Sequence, residues 1–264
     1  MGAGVTVDHT GDVLRLTLAR PERRNALDHA AMDVLLGAVT AAATDDALRV
    51  VVLQADGPVF CAGVDLIDAN RPREARLRTG HVARDTIATP HRLIEAIWDL
   101  PLPVVAAVRG HASGLGCGLA LAADFAIVST TARFSMTMVR RGFTPDSSTT
   151  WLLPRLVGVA RAKRLLLLGR EVDGSTAAAW GMVERVVADD ELEVETEALV
   201  AELASAATVA VGLAKWAVHT ALSTDLHRAV ATEAVVEEVV MRSPDFKEGI
   251  AAFREKRPPS YEGR

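Results

Sequence analysis

The chain has 264 residues, of which 50% are hydrophobic and 24% charged, and this is the composition of a globular protein. Its 34 acidic and 29 basic residues give a net charge of −5, which argues against a protein that binds nucleic acid by neutralising phosphates. Two cysteines, Cys61 and Cys117, are too few for a disulfide scaffold.

The sequence predicts no targeting or membrane segment. The first residues contain neither a basic stretch nor a long apolar run. Apolar stretches such as residues 103–108 are far shorter than the ~20 residues that span a bilayer. We therefore expect a cytoplasmic protein that binds neither membrane nor nucleic acid.

The N-terminal half alternates short strands with helices. A turn at 10–12 precedes apolar residues at every second position of 14–18, which predicts a hairpin and a half-buried strand. Apolar spacing predicts a helix over 28–44, and the apolar run 50–54 predicts a buried strand. The arginine-rich stretch 67–79 is interpreted as a solvated loop, with a substrate lid as the alternative.

The pattern continues with a helix at 90–100, a strand at 104–108, a helix at 115–122 and a strand at 124–128. This alternation predicts an α/β architecture. From Asp189 onward the patterns are only helical, and Ser243-Pro244-Asp245 is typical of a helix start. We predict an α/β core over 1–190 and a helical region over 191–264.

Two turns could bind a ligand through their backbone. Residues 110–118 (GHASGLGCG) lie between a strand and a helix, whose first N–H groups are free to bind an anion. A dinucleotide fingerprint is disfavoured because Leu119 stands where its third glycine belongs, and Ser113 lacks the flanking glycines of a nucleophile elbow. Residues 60–66 (FCAGVDL) form a second small-residue turn, and N–H groups from the two turns could form an oxyanion hole.

The ordered set of motifs resembles the crotonase, or enoyl-CoA hydratase/isomerase, superfamily nearly from end to end. Besides the two turns, the segments that carry the resemblance are RPERRNAL at 20–27, LPVVAAVRG at 102–110, LLPRLVG at 152–158, AAAWGMV at 177–183, Glu248-Gly249 and FREKR at 253–257.

The resemblance implies a spiral of ββα units with a helical C-terminal trimerisation region, assembled as a homotrimer or a dimer of trimers. It implies an acyl-CoA substrate whose thioester carbonyl is stabilised as an enolate by the backbone N–H groups of Ala62 and Leu115. No cofactor is expected beyond the coenzyme A of the substrate, and no metal-ligand spacing occurs. The implied coenzyme A contacts are Arg23, Arg24, Asp65, Leu66, Phe253 and Lys256.

Both glutamates that family hydratases use to handle water are replaced here, by Gly118 and Met138. Asp146 matches the aspartate of family isomerases and of an aryl-CoA dehalogenase. One carboxylate can remove a proton and return it at another carbon, which suits isomerisation better than hydration. The alternatives for Asp146 are a helix cap and a nucleophile that attacks an aryl-CoA.

The resulting hypotheses are a double-bond isomerase with Asp146 as base, a hydratase with an atypical site, and a non-catalytic acyl-CoA binding protein. His111, Met138 and Phe143 are predicted to line the acyl pocket. His91 is interpreted as a surface residue, with a position facing the acyl chain as the alternative. His219 and His227 are both expected to be solvated.

Overall fold

The computed structural model describes residues 4–69 and 80–264. The strands within these residues are β1 (Val5–Thr10), β2 (Val13–Leu18), β3 (Val50–Ala55), β4 (Val104–Val108), β5 (His111–Ser113), β6 (Phe125–Ser129), β7 (Arg133–Ser135), β8 (Glu171–Asp173) and β9 (Arg185–Val187). The helices are α1 (His29–Ala42), α2 (Leu66–Ala69), α3 (His81–Thr86), α4 (Arg92–Trp98), α5 (Leu115–Ala122), α6 (Thr149–Leu168), α7 (Gly174–Ala179), α8 (Leu192–Ala204), α9 (Thr208–Ala221), α10 (Leu226–Val240) and α11 (Pro244–Glu255).

Two sheets organise the strands. The main sheet has the order β1-β2-β3-β4-β6-β9 and is parallel from β2 onward, while β1 and β2 form the predicted antiparallel hairpin. The small sheet has the order β5-β7-β8. In β4-β5-α5 and again in β6-β7-α6, the first strand joins the main sheet and the second joins the small sheet. This repetition confirms the predicted α/β fold of ββα units.

Local signals set the ends of several helices. The side chain of Asp28 accepts a 2.9 Å hydrogen bond from the Ala31 N–H and caps α1, close to the predicted start. Ser243 caps α11 in the same way by accepting from the Phe246 N–H at 3.0 Å. The predicted helix at 90–100 is divided in the structure: residues 90 and 91 belong to a π-helical turn at Ile87–His91, and α4 covers Arg92–Trp98.

The main sheet is buried on both faces at β3, which explains the continuous apolar run of this strand. Val51 and Leu53 pack in the larger core with α1, whereas Val50 and Val52 pack on the opposite face with residues of α8. The first helix of the 191–264 region is therefore part of the core of the α/β unit.

Helix α9 is tied to the core by a buried ion pair. The Nζ of Lys215, whose side chain is 8% exposed, lies 2.7 Å from Asp124 Oδ2 and also donates to the Leu102 carbonyl. Burial lowers the pKa of Lys215 and raises the pKa of Asp124, while their mutual attraction opposes both shifts. Helix α10, by contrast, has no buried residue.

The length and composition of the described helices bear on whether the chain could span a bilayer. None of them is by itself long and apolar enough to span one, and the pair α8 and α9, which together would be, is bent by 102°.

Candidate active site

The two ligand-binding turns predicted from the sequence lie side by side. Cys61 forms a parallel bridge to Ala112, with its N–H donating to the His111 carbonyl at 2.9 Å and its carbonyl accepting from the Ser113 N–H at 2.8 Å. A Cβ added to Gly63 would lie 2.9 Å from the Ser113 carbonyl oxygen and 3.4 Å from the Leu115 nitrogen. Glycine at 63, with its positive φ of 96°, is therefore what lets the first turn approach the N-terminus of α5.

The backbone N–H groups of these turns differ in whether they already have partners. The Ala62 N–H donates a 3.0 Å hydrogen bond to the Arg24 carbonyl, so the structure gives the predicted donor another acceptor. The Leu27 N–H donates to the Gly63 carbonyl, and the Asp65 N–H donates to the Leu27 carbonyl. These bonds lie on either side of Val64, whose own N–H donates to no acceptor within the described residues. Leu115 is the first residue of α5, where helical N–H groups lack an intrahelical partner.

The space beside Gly118 is filled by the polypeptide backbone. A Cβ added to Gly118 would lie 2.6 Å from the Ser147 carbonyl oxygen and 3.3 Å from Ile94 Cδ1. Met138 is buried, and its Cε lies 3.3 Å from the Cβ position of Gly114, next to the N-terminus of α5. The surroundings of α5 therefore leave no room for a long acidic side chain at 118 and present a thioether at 138.

Asp146 lies in a tight turn directly before α6. Its half-buried carboxylate accepts a 2.8 Å hydrogen bond from the Ser147 hydroxyl, and its carbonyl accepts from the Thr149 N–H and hydroxyl. Ser147 and Ser148 both have a positive φ, near 54° and 58°. The residue at the helix N-cap is Ser148, and no side chain caps α6 there, so the alternative of Asp146 as a helix cap is wrong.

The residues predicted to line the acyl pocket lie in different places. Met138 is buried beside the turns, as described above. Phe143 is 44% exposed and follows it in the same loop, with its N–H donating to the Met138 carbonyl. The ring of His111 is exposed on β5, where its Nδ1 lies 3.7 Å from Glu171 Oε2. Alternation along β5 turns Ala112 inward and His111 outward, so within the described residues the His111 ring lies on the exposed side of this strand.

A profile of the family described as enoyl-CoA hydratase/isomerase matches residues 8–264. The chain belongs to the enoyl-CoA hydratase/isomerase family. It is therefore a member of the crotonase superfamily, as the sequence motifs predict.

Individual relatives in this family include both hydratases and isomerases. A Rhodobacter capsulatus protein named "Probable enoyl-CoA hydratase" is 40% identical over 249 residues, with 94% of each chain covered. The "1,2-epoxyphenylacetyl-CoA isomerase" of Escherichia coli is 36% identical, with 96% of this chain and 95% of the relative covered. The crystal structure of an enoyl-CoA hydratase from Bacillus anthracis matches with a TM-score of 0.92 at 34% identity, covering 99% of this chain and 100% of that one.

The coenzyme A contacts implied by the family fall into two groups. Asp65 is only 6% exposed and lies 3.4 Å from an Arg23 nitrogen and 3.7 Å from an Arg20 nitrogen. Arg24 and Leu66 are exposed beside this cluster, at the edge of the first turn. Arg20, which also pairs with Asp28 at 2.7 Å, is a member of the cluster that sequence reasoning missed.

The second group, Phe253 and Lys256, lies at the end of α11. Phe253 is 83% exposed, and Lys256 ends the helix in a left-handed conformation. Residues 70–79 of the predicted loop or lid lie outside the described residues, so that prediction stays untested.

Two histidines differ from their predicted surroundings. His219 stacks on Trp98 with ring centroids 3.7 Å apart, so the expectation of a solvated ring is wrong, whereas His227 is exposed as expected. Burial, together with the nearby positive charge of Lys215, lowers the pKa of His219 from 6.5 to about 4. His91 is only half-exposed, and its Nε2 is buried, which contradicts the interpretation of a surface residue.

Proposed function

We propose that this chain is an enoyl-CoA isomerase in which Asp146 moves a proton between two carbons of the acyl group. The observation that carries the proposal is the contact of Gly118 with Ser147. The Ser147 backbone fills the space that a hydratase glutamate at 118 would need, and the same serine holds the Asp146 carboxylate beside α5. With Met138 at the other glutamate position, Asp146 is the nearby acid in the described residues that we assign to proton transfer. The similarity to a protein named "1,2-epoxyphenylacetyl-CoA isomerase" supports this proposal.

The proposed oxyanion hole consists of the backbone N–H groups of Val64 and Leu115. The adjacency of Gly63 to the Leu115 nitrogen supports this pair, and the bond from Ala62 to Arg24 argues for Val64 in place of Ala62. Two such donors, together with the positive end of the α5 dipole, stabilise the negative charge of an enolate oxygen.

The proposed reaction conserves all atoms of the substrate. The Asp146 carboxylate takes a proton from the carbon α or γ to the thioester, and the C–H electron pair moves toward the carbonyl to give a dienolate. The protonated Asp146 then returns the proton at the other carbon, and the double bond has shifted. The chemistry uses one carboxylate and two backbone donors, and coenzyme A enters only as part of the substrate.

The coenzyme A moiety is proposed to bind along Arg23, Arg24 and the Asp65-Leu66 turn. Asp65 would serve here by positioning the Arg23 guanidinium, since the carboxylate is buried against it. Phe253 and Lys256 are proposed to complete the site in an assembled homotrimer or dimer of trimers. Exposed apolar side chains on α9, directly after it and on α10 support such an assembly, namely Trp216, Val218, Leu222, Leu226, Val230, Val235 and Val239.

The test is deuterium uptake from heavy water into 2-enoyl-, 3-enoyl- and saturated acyl-CoAs, followed by mass spectrometry. We expect the wild type to exchange protons and shift the double bond, and Asp146→Asn to lose both by at least ~100-fold, the typical contribution of a general base. Full activity in Asp146→Asn would overturn the assignment. Water addition would favour a hydratase with an atypical site, and binding without any exchange would favour a non-catalytic acyl-CoA binding protein.

A further inference from the structure

His91 carries a buried polar atom that the proposed reaction does not use. It is the last residue of the π-helical turn Ile87–His91, directly before α4. Its Nε2 is buried and has no hydrogen-bond partner in the described residues. Such an atom is rare in folded proteins because its desolvation is uncompensated, and single π-helical turns are frequent at functional sites.

The face of α4 that begins at His91 points toward the reaction centre. His91, Ile94 and Trp98 follow the helical spacing of three and four residues and share one face. Ile94 Cδ1 is 3.3 Å from the Cβ position of Gly118, where a hydratase carries its glutamate. Trp98 packs edge-to-face on Trp151 of α6, which begins three residues after Asp146.

The direction of the helices places His91 level with the oxyanion turn. Helices α4 and α5 connect parallel strands of the main sheet, β3 to β4 and β4 to β6. Both helices must therefore run opposite to the strands and in the same direction as each other. Ile94 lies beside Gly118. His91 is one turn closer than Ile94 to the N-terminus of α4, just as Leu115 is one turn closer than Gly118 to the N-terminus of α5.

The described side chains that reach this side of α5 near its N-terminus are apolar. Ile94 and Met138 are hydrocarbon or thioether, and the glutamate position at 118 has no side chain. A pocket with these walls would accept a plain hydrocarbon chain if His91 were absent. A buried imidazole nitrogen disfavours a hydrocarbon chain, because the nitrogen then remains without a hydrogen-bond partner. It favours a ligand that supplies such a partner.

We infer that His91 is a specificity-determining residue that selects acyl-CoA substrates with a hydroxyl, carbonyl or ether oxygen on the acyl group. Its Nε2 forms a hydrogen bond with that oxygen while the thioester lies at the oxyanion turn. The inference rests on the proposed function for the placement of the thioester, and it adds a substrate class that the proton transfer by Asp146 does not require.

The test compares the dissociation constants of matched, saturated CoA thioesters by isothermal titration calorimetry. The pairs are butanoyl-CoA with 3-hydroxybutanoyl-CoA, and phenylacetyl-CoA with 2-hydroxyphenylacetyl-CoA. We expect the wild type to prefer the oxygenated member of a pair by about tenfold, the size of one buried hydrogen bond. His91→Leu removes this preference, and His91→Gln, which retains an amide near the Nε2 position, keeps most of it.

The control variant is Glu95→Gln, on the exposed side of α4, which leaves all four constants unchanged. His91→Met replaces His91→Leu if thermal melting finds the latter unfolded. Equal affinities within both pairs for the wild type, or a preference that survives without His91, would overturn the inference. An equal loss of affinity for both members of a pair in His91→Leu would also overturn the inference. Because these measurements need no turnover, a selective wild type without proton exchange would refute the isomerase and leave the role of His91 standing.

Discussion

The carbonyl oxygen of Ser147 occupies the space that a side chain at Gly118 would enter, at 2.6 Å from the position of its Cβ. The same serine donates its hydroxyl to the Asp146 carboxylate. The loss of one acidic group at α5 and the placement of another before α6 are therefore one structural arrangement. A hydratase glutamate could return to residue 118 only if the 146–148 turn moved.

Gly118→Ala is expected to destabilise the protein by about 1–3 kcal/mol, because the new methyl group collides with backbone. Gly118→Glu is expected to destabilise it at least as much and to add no hydratase activity. The control is Gly37→Ala in α1, where the added Cβ meets no atom within 4 Å and should stabilise the helix by about 0.5–1 kcal/mol. Chemical denaturation measures the stability of all three variants, and equal effects of Gly118→Ala and Gly37→Ala would contradict the contact between Gly118 and Ser147.

Leu115→Pro tests the proposed oxyanion donor by removing the backbone N–H group of residue 115 from a helix that should still form. Proline is favoured at the first position of a helix, so α5 should form, but the variant lacks the N–H group. Turnover is expected to fall about 100- to 1000-fold, as for removal of one oxyanion donor.

Leu115→Ala is the matched control for Leu115→Pro, since it loses the same buried packing and keeps the N–H. Both variants are compared by steady-state kinetics and thermal melting. Similar activity in the two variants would mean that this N–H does not contact the substrate.

The buried pair of Lys215 and Asp124 should be sensitive to removal of one partner. Lys215→Met leaves the Asp124 carboxylate buried without its cation and is expected to cost about 3–5 kcal/mol of unfolding free energy. The double variant with Asp124→Asn should recover part of this loss. Glu238→Gln, in an exposed pair with Arg242, is the control and should cost less than about 1 kcal/mol.

The stability of the protein should depend on pH through His219. The unfolded chain protonates this ring near pH 6.5, whereas the pKa in the folded protein is about 4. Its contribution is therefore complete above pH 6.5 and is lost as the pH falls toward 4. His219→Phe keeps the stack on Trp98, and we expect its melting temperature to fall less than that of the wild type between pH 7 and pH 5. His227→Gln should follow the wild type; a parallel decline in all three would contradict the prediction.

Much of the fold follows from local patterns in the sequence. Alternating apolar residues in β2, the capping residues Asp28 and Ser243, and the apolar run of β3 each determine an element through interactions within a few residues. The family motifs add the ββα connectivity and the two turns, and Gly118 and Met138 exclude a hydratase glutamate pair by their identity alone. These conclusions need no knowledge of long-range contacts.

The partners of individual groups were decided by tertiary structure. The chain at Arg24 and Leu27 runs beside the 60–66 turn. For this reason the Ala62 N–H is hydrogen-bonded to the Arg24 carbonyl, whereas the Val64 N–H donates to no acceptor within the described residues. The same kind of long-range packing pairs His111 with Glu171 and stacks His219 on Trp98, and it buries the Nε2 of His91. Sequence determines which atoms are available, but burial and hydrogen bonding depend on segments far apart in the chain, so only the folded arrangement decides which atoms remain free for a substrate.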